Sequence, residues 1–229
     1  MHQLPLGIQL RPTAVFASFH AGRQAAAVAA TRAVAEGRSS TPVWLWGPSG
    51  TGKSHLLQAA LAAWEEGGRG TSAYLPLGMS GLAPAMLEGL EACGLVALDD
   101  VEAIAGRHAM EEALFHLWNG LTARGGRLLL AAAQPPAGAG IRLPDLASRF
   151  ASSLVYQLAP PDDADLADIL RLQAAGRGLV LGAEVAAFLL RRVRRDTHAL
   201  ARVVERLDAA ALAAQRPLTV PFVRDVLGG

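Results

Sequence analysis

A single cysteine, Cys93, in a chain of 229 residues leaves no partner for an internal disulfide and no set of thiolates for a zinc site. The expected compartment is the reducing cytoplasm, and the expected role of that thiol is a small buried hydrophobe. Aromatic residues are scarce at 5%. Alanine and leucine carry much of the 52% hydrophobic content instead, which favours helices packed through small side chains and excludes disorder over most of the length. Charge of one sign is missing too. With 21 Lys and Arg against 20 Asp and Glu, the formal +1 sets up no global field toward nucleic acid or an anionic membrane, so any such partner would be met through a local patch. No apolar run reaches the roughly 18 residues of a membrane helix, and the N-terminus lacks a basic region leading into a hydrophobic stretch. The sequence therefore reads as soluble, unexported and without a membrane partner.

Against those absences stands one dense motif. Gly47-Pro48-Ser49-Gly50-Thr51-Gly52-Lys53-Ser54, preceded by the apolar run Val43-Trp44-Leu45-Trp46, meets every fixed position of the phosphate-binding pattern G-x-x-x-x-G-K-[ST]. Glycines let backbone N–H groups turn inward around phosphate oxygens, and the loop opens a helix whose N-terminal end favours an anion. Lys53 is expected to reach the terminal phosphates and Ser54 to offer its hydroxyl to Mg²⁺. From His55 to Leu61 the composition and spacing are those of a helix with one buried face, so strand, loop and helix follow in the required order. The nucleotide-binding set runs from Gly47 to His55.

Short apolar strands alternate with helical stretches through the first two thirds: Val43 to Trp46, Thr71 to Leu75, Leu95 to Leu98, Arg127 to Ala132 and Ser153 to Leu158. Between them lie helix candidates at Lys53 to Glu65, Pro84 to Glu91 and Ala109 to Ala123, with Gly67-Gly68 and Gly125-Gly126 as stops. That alternation predicts an α/β fold, a five-stranded parallel sheet flanked by helices. Pro160-Pro161 breaks it, and the rest reads as helices: Asp162 to Ala175, Ala183 to Arg195, Thr197 to Gln215 and Thr219 to Leu227. The expected organisation is a tail over 1–12, a nucleotide-binding unit over 13–159 and an all-α unit over 160–229. The many arginines of the last unit tempt a DNA-binding reading. Intervening acids cancel much of their charge, however, and leucines at helical spacing favour a small lid bundle with a solvated face.

Leu95-Val96-Ala97-Leu98-Asp99-Asp100 is an apolar strand ending in two acids, where a phosphate-loop protein needs its second metal contact. Asp99 is expected to hold Mg²⁺ opposite Ser54, directly or through water, and Asp100 to orient the attacking water. From here the chain resembles a known family. The order of phosphate loop, Asp-Asp strand, strand and turn from Arg127 to Pro136, the segment Leu143-Pro144-Asp145-Leu146-Ala147-Ser148-Arg149-Phe150 and a helical lid is similar to AAA+ P-loop NTPases of the DnaA replication-initiator type. Phe16-Ala17-Ser18-Phe19, the run Asp99 to Gly106 and the tail Gln215 to Val223 bring it nearest to the Hda-type regulators within that family. The resemblance spans nearly the whole chain.

The resemblance implies an arginine finger at Arg149, aimed at ATP held by another subunit; a guanidinium suits the role because it is always charged and pairs with phosphate oxygens. From position alone, an arginine capping or bridging a short helix would be preferred. The resemblance also implies that Gln3-Leu4-Pro5-Leu6 docks on the sliding clamp (beta subunit) of the replicative DNA polymerase. A glutamine amide would fix register, leucines enter pockets and proline keep the segment extended. DNA is then met only through the clamp. DnaA continues into a DNA-binding helix-turn-helix domain and this chain stops at Gly229, so initiation itself is not the expected job.

Two positions depart from the family pattern. A polar γ-phosphate sensor is expected at the tip of the fourth strand, where the sequence has Ala131-Ala132-Ala133. In the lid, His198 takes the place of a phosphate-sensing arginine, with Arg202 one helical turn on as a substitute. The expected ligand is therefore ADP, or ATP hydrolysed poorly. Three functions stay open: a negative regulator that speeds hydrolysis of DnaA-bound ATP, an autonomous ATPase such as a helicase loader, and a non-catalytic clamp adaptor. So does a homodimer through the finger face.

Overall fold

The computed structural model describes residues 13–193 and 197–228. After two short 3-10 turns come α1 (Ala25–Ala35), β1 (Val43–Trp46), α2 (Lys53–Glu66), β2 (Ser72–Pro76), β3 (Leu95–Asp99), α3 (His108–Ala123), β4 (Arg127–Ala132), α4 (Pro144–Ala151) and β5 (Leu154–Gln157). The helices α5 (Asp163–Ala175), α6 (Ala183–Arg192), α7 (Thr197–Ala214) and α8 (Val220–Leu227) follow. Among the described residues, no helix is long and apolar enough to cross a membrane.

All five strands are parallel, in the order β2-β3-β4-β1-β5. Side chains alternate between faces with period two, so each central strand feeds two cores. Val43, Leu45, Leu95, Ala97, Leu129 and Ala131 face α1 and α2, where Leu57, Leu61 and Trp64 meet them. Trp44, Val96, Leu98, Leu128 and Leu130 face the other side, where Leu114, Trp118, Leu146 and Phe150 of α3 and α4 close the layer. The C-terminal helices bury a third, separate core that includes Leu170, Leu189, Leu200 and Leu207.

Several element ends differ from the sequence expectation. The stretch read as one helix from Pro84 to Glu91 is two 3-10 turns, Pro84–Leu87 and Leu90–Ala92. Gly89 at φ +85° breaks it, which lets Leu87 and Leu90 both turn inward to the core. The helix read to Arg195 ends at Arg192, because Val193 is extended at ψ 147°. The helix read to Gln215 ends at Ala214, with Gln215 in the left-handed region at φ +50° and Pro217 two residues on.

Candidate functional site

The phosphate loop hangs between the end of β1 and the first turn of α2. Its shape requires glycine where the backbone crowds. Gly47 sits at φ +150°, and a Cβ there would lie 2.2 Å from the carbonyl oxygen of Leu158; at Gly52 (φ +95°) it would lie 2.5 Å from the Phe19 ring. Lys53 Nζ donates to the carbonyls of Gly47 (2.6 Å) and Pro48 (2.9 Å), and Thr51 Oγ1 also donates to Pro48 (3.0 Å). The lysine thus lies along the loop it would neutralise for a phosphate.

Sheet order brings the C-terminal end of β3 beside that loop. Asp99 is buried; its Oδ2 accepts from the Tyr74 hydroxyl at 2.7 Å and its Oδ1 from the Asp100 amide at 3.1 Å. Burial, and then the charge of Asp99, pushes the Tyr74 phenol well above its ordinary range, so the hydroxyl keeps its proton and donates. Asp100 stands in the left-handed region at φ +54° on the cleft wall. Its carboxyl is shifted upward by partial burial and by the charges of Asp99 and Glu102, with Lys53 opposing. Glu102 lines the same wall, with one buried oxygen that has no partner among the described residues.

These groups converge on a cleft of about 380 Å³, the size of a small-molecule site. Ser49 to His55 form its floor and Asp99, Asp100 and Ala133 one side. Of the two other walls, the sequence reading missed the first and expected a lid for the second, but with other residues. Phe19 to Gln24 precede α1, and Ile169, Gln173, Thr197 and Ala201 come from α5 and α7. Thr197 Oγ1 donates to the Gly50 carbonyl at 2.8 Å, tying α7 to the phosphate loop. On the opposite rim, His20 and Arg23 reach Asp165 at 3.0 and 3.2 Å, and the Gln24 amide donates to the Ala159 carbonyl at 2.9 Å. Only the Phe16 to Phe19 similarity hinted at the first wall.

The other expected positions fall as follows. His55 is in the cleft wall, but its Nε2 is engaged by the Val15 carbonyl (3.0 Å) and Ser18 Oγ (3.3 Å), and its ring leans on Phe19. Ala133 puts a methyl at the tip of β4, inside the cleft. Arg202 is exposed and outside the cleft lining, where Ala201 stands instead. Arg149 is exposed in the last turn of α4, away from the cleft, and its guanidinium has no hydrogen bond or ion pair among the described residues. Gln3, Leu4, Pro5 and Leu6, together with Arg194 and Arg195, lie outside the described residues, as does the side chain of His198.

An oxygen-only donor set of Ser54 and Asp99 beside a phosphate loop fits Mg²⁺, which takes one or two protein oxygens and completes its shell with phosphates and water. No cluster of three or more His, Cys, Asp or Glu able to hold a metal without a ligand's help occurs among the described residues. The fitting ion is one carried by a nucleotide.

The fold is shared with replication initiation proteins and with a branch migration motor. Domain III of the replication initiation protein DnaA from Thermotoga maritima superposes with a TM-score of 0.78 at 21% identity, over 96% of this chain and 97% of that one. A DnaA bound to AMPPCP and single-stranded DNA gives 0.69 at 24%, over 90% and 69%. The Thermotoga maritima RuvB Holliday junction branch migration motor gives 0.66 at 16%, over 95% and 72%. Fold and cleft together define an AAA+ nucleotide-binding protein. Residues 10–72 match the bacterial DnaA ATPase domain, and residues 163–227 match the lid domain of Hda. The two matches support an Hda-like, DnaA-homologous AAA+ protein.

Proposed function

We propose that this chain is a negative regulator of replication initiation that works on ATP held by DnaA. Docked on the sliding clamp through Gln3 to Leu6, it presents Arg149 to the nucleotide of a neighbouring DnaA and speeds hydrolysis to ADP. Residues 1–12 act as the tail, 13–159 as the nucleotide-binding unit and 160–229 as the lid. The observation that carries this reading is the position of Arg149: solvent-exposed, without a hydrogen-bond or ion-pair partner among the described residues, and outside the chain's own cleft. A guanidinium so placed is available to another molecule. Water attacks the partner's γ-phosphorus, ADP leaves, and the added positive charge stabilises the negative charge gathering on the transferring group. Fingers of this kind contribute on the order of 10³- to 10⁵-fold in rate.

In the chain's own cleft the reading is a tightly held adenine nucleotide, ADP or slowly hydrolysed ATP. Gly47 to Ser54 cradle its phosphates, Lys53 supplies charge, and Ser54 with Asp99 hold Mg²⁺. Bound there, the ion would neutralise phosphate charge and fix the phosphate chain. Asp100 is the candidate for orienting water. The methyl of Ala133 supports weak turnover, because it offers nothing to water or a γ-phosphate.

The decisive experiment measures hydrolysis of DnaA-bound ATP with and without this protein and DNA-loaded clamp. Stimulation that Arg149→Ala abolishes, with nucleotide and clamp binding intact, is the expected result; an unchanged hydrolysis rate in the presence of the wild-type chain rejects it in favour of a clamp adaptor. A second reading, an autonomous ATPase such as a helicase loader, draws on two acids, Asp100 and Glu102, at the cleft wall. Turnover by the isolated protein at the rate of an ordinary ATPase would establish it.

A further inference from the structure

Three elements meet around a single phenol. Tyr74 lies in the middle of β2, paired in register with Ala97 of β3, while Pro76 two residues on pairs with Asp99. From there the Tyr74 hydroxyl donates to Asp99 Oδ2 at 2.7 Å. Ser54 and Gln58, in the first turns of α2, line the same cleft as Tyr74 and Asp99 and lie close enough to the phenol to oppose the rise in its pKa. The two residues that fit Mg²⁺, one on a strand end and one on a helix start, therefore flank one side chain that is hydrogen-bonded to the first of them.

We propose that Tyr74 is a positioning residue that fixes the Asp99 carboxylate against Ser54 for the Mg²⁺ of a bound nucleotide. The inference rests on the reading of the cleft as a Mg²⁺-nucleotide site. Each carboxylate oxygen offers two acceptor positions. With Tyr74 on Oδ2 and the Asp100 amide on Oδ1, one position per oxygen stays free and the plane of the carboxylate is set. Mg²⁺ demands near-octahedral geometry and dehydrates reluctantly, so a carboxylate free to rotate binds its hydrated shell less well than one held in place. Outer partners of metal-binding carboxylates commonly matter by about 10- to 100-fold in metal affinity. A phenylalanine would fill the ring's space without the bond, so it separates positioning from packing.

The test uses the full-length protein and the fluorescent nucleotide mant-ADP, titrated in Mg²⁺ and in EDTA. For Tyr74→Phe the affinity in EDTA stays near the parent value, whereas the apparent Mg²⁺ affinity of the nucleotide complex falls about 10-fold or more. In an Asp99→Asn background the same change adds nothing beyond about two-fold, because the carboxylate it acts through is gone. Thermal melting checks that each variant is folded. Overturning results are a Mg²⁺ affinity in Tyr74→Phe equal to the parent's, or a full separate loss on top of Asp99→Asn. A parent that binds mant-ADP without Mg²⁺ dependence removes the metal side of the cleft, and a parent that binds no mant-ADP removes the nucleotide reading itself, so the two failures are distinguishable from failure of Tyr74 alone.

Discussion

At Gly47 the backbone conformation and the space around it make the same demand. A φ of +150° disfavours any side chain, and a Cβ would stand 2.2 Å from a backbone carbonyl that the adjoining strand cannot move cheaply. Gly47→Ala should therefore lower stability in denaturant unfolding by about 1–3 kcal/mol, the range for overpacking a filled site, and weaken mant-ADP binding by displacing the loop. An equal substitution at Gly70, with nothing within 4 Å, meets only the strain of its φ and leaves the loop untouched. Residues whose place is set by the element beside them were legible in the sequence: the loop follows β1 and Asp99 ends β3, and Ser49 to Ser54 and Asp99 meet in one cleft. Tyr74 was not legible, because its partner is chosen by the register of two strands lying 25 residues apart. The His55 assignment shows the same limit from the other side. Spacing put the residue in the cleft, but a segment 40 residues earlier occupies its ring nitrogen.

Among elements, α4 is aimed by a buried acid on α3. Glu111 accepts from the amides of Gly106 (2.7 Å), Arg142 (3.0 Å) and Leu143 (2.7 Å), using both carboxylate oxygens, and so clamps the loop that leads into the helix bearing Arg149. Glu111→Gln turns an NH₂ toward at least one of those donors. We expect a loss of about 1–3 kcal/mol in unfolding free energy and, under the proposed role of Arg149, a larger fall in stimulation of DnaA-bound ATP hydrolysis than in nucleotide binding, since α4 loses its anchor and the cleft does not. Nothing in the sequence marked this acid, because its donors are loop amides without side-chain identity. A second junction joins the segment before α1 to α5 through Asp165. Its carboxyl is held below the ordinary Asp value of 3.8, first by the Asp162 amide and then by His20 and Arg23. A depressed folded pKa contributes stability above the unfolded value and loses it as pH falls through the folded one. Urea unfolding from pH 6 downward should therefore show the parent losing stability below about pH 4 more steeply than Asp165→Asn, which lacks the titrating group. Parallel slopes would show that the junction carries no linkage.

The whole molecule encloses its cleft with parts of two separate hydrophobic cores, since Phe19 packs on the core beneath the sheet while the C-terminal helices bury their own. The sheet contributes the phosphate loop and Asp99, the segment before α1 contributes Phe19 to Gln24, and the C-terminal helices contribute Ile169, Thr197 and Ala201. The alternation of strands and helices made the sheet legible, and Pro160-Pro161 marked the change to helices. The resemblance gave those helices as a lid; the contact that ties them to the loop, Thr197 to Gly50 across 147 residues, was not legible. A ligand touching all three parts is released when any one of them comes away, so its binding free energy adds to the cooperativity of the entire chain. At 100 times its dissociation constant, Mg²⁺-ADP should raise the unfolding free energy by about 2.7 kcal/mol, which for a chain of this size is a rise in Tm of about 5–10 °C. Thr197→Ala should reduce that rise by loosening one wall while leaving the Tm of the nucleotide-free protein nearly unchanged, because the exposed side of its hydrogen bond is replaced by water. Differential scanning calorimetry of both proteins, with and without Mg²⁺-ADP, reads the two effects separately. A ligand-induced shift in Thr197→Ala equal to the parent's would mean that the C-terminal helices lie over the nucleotide without gripping it.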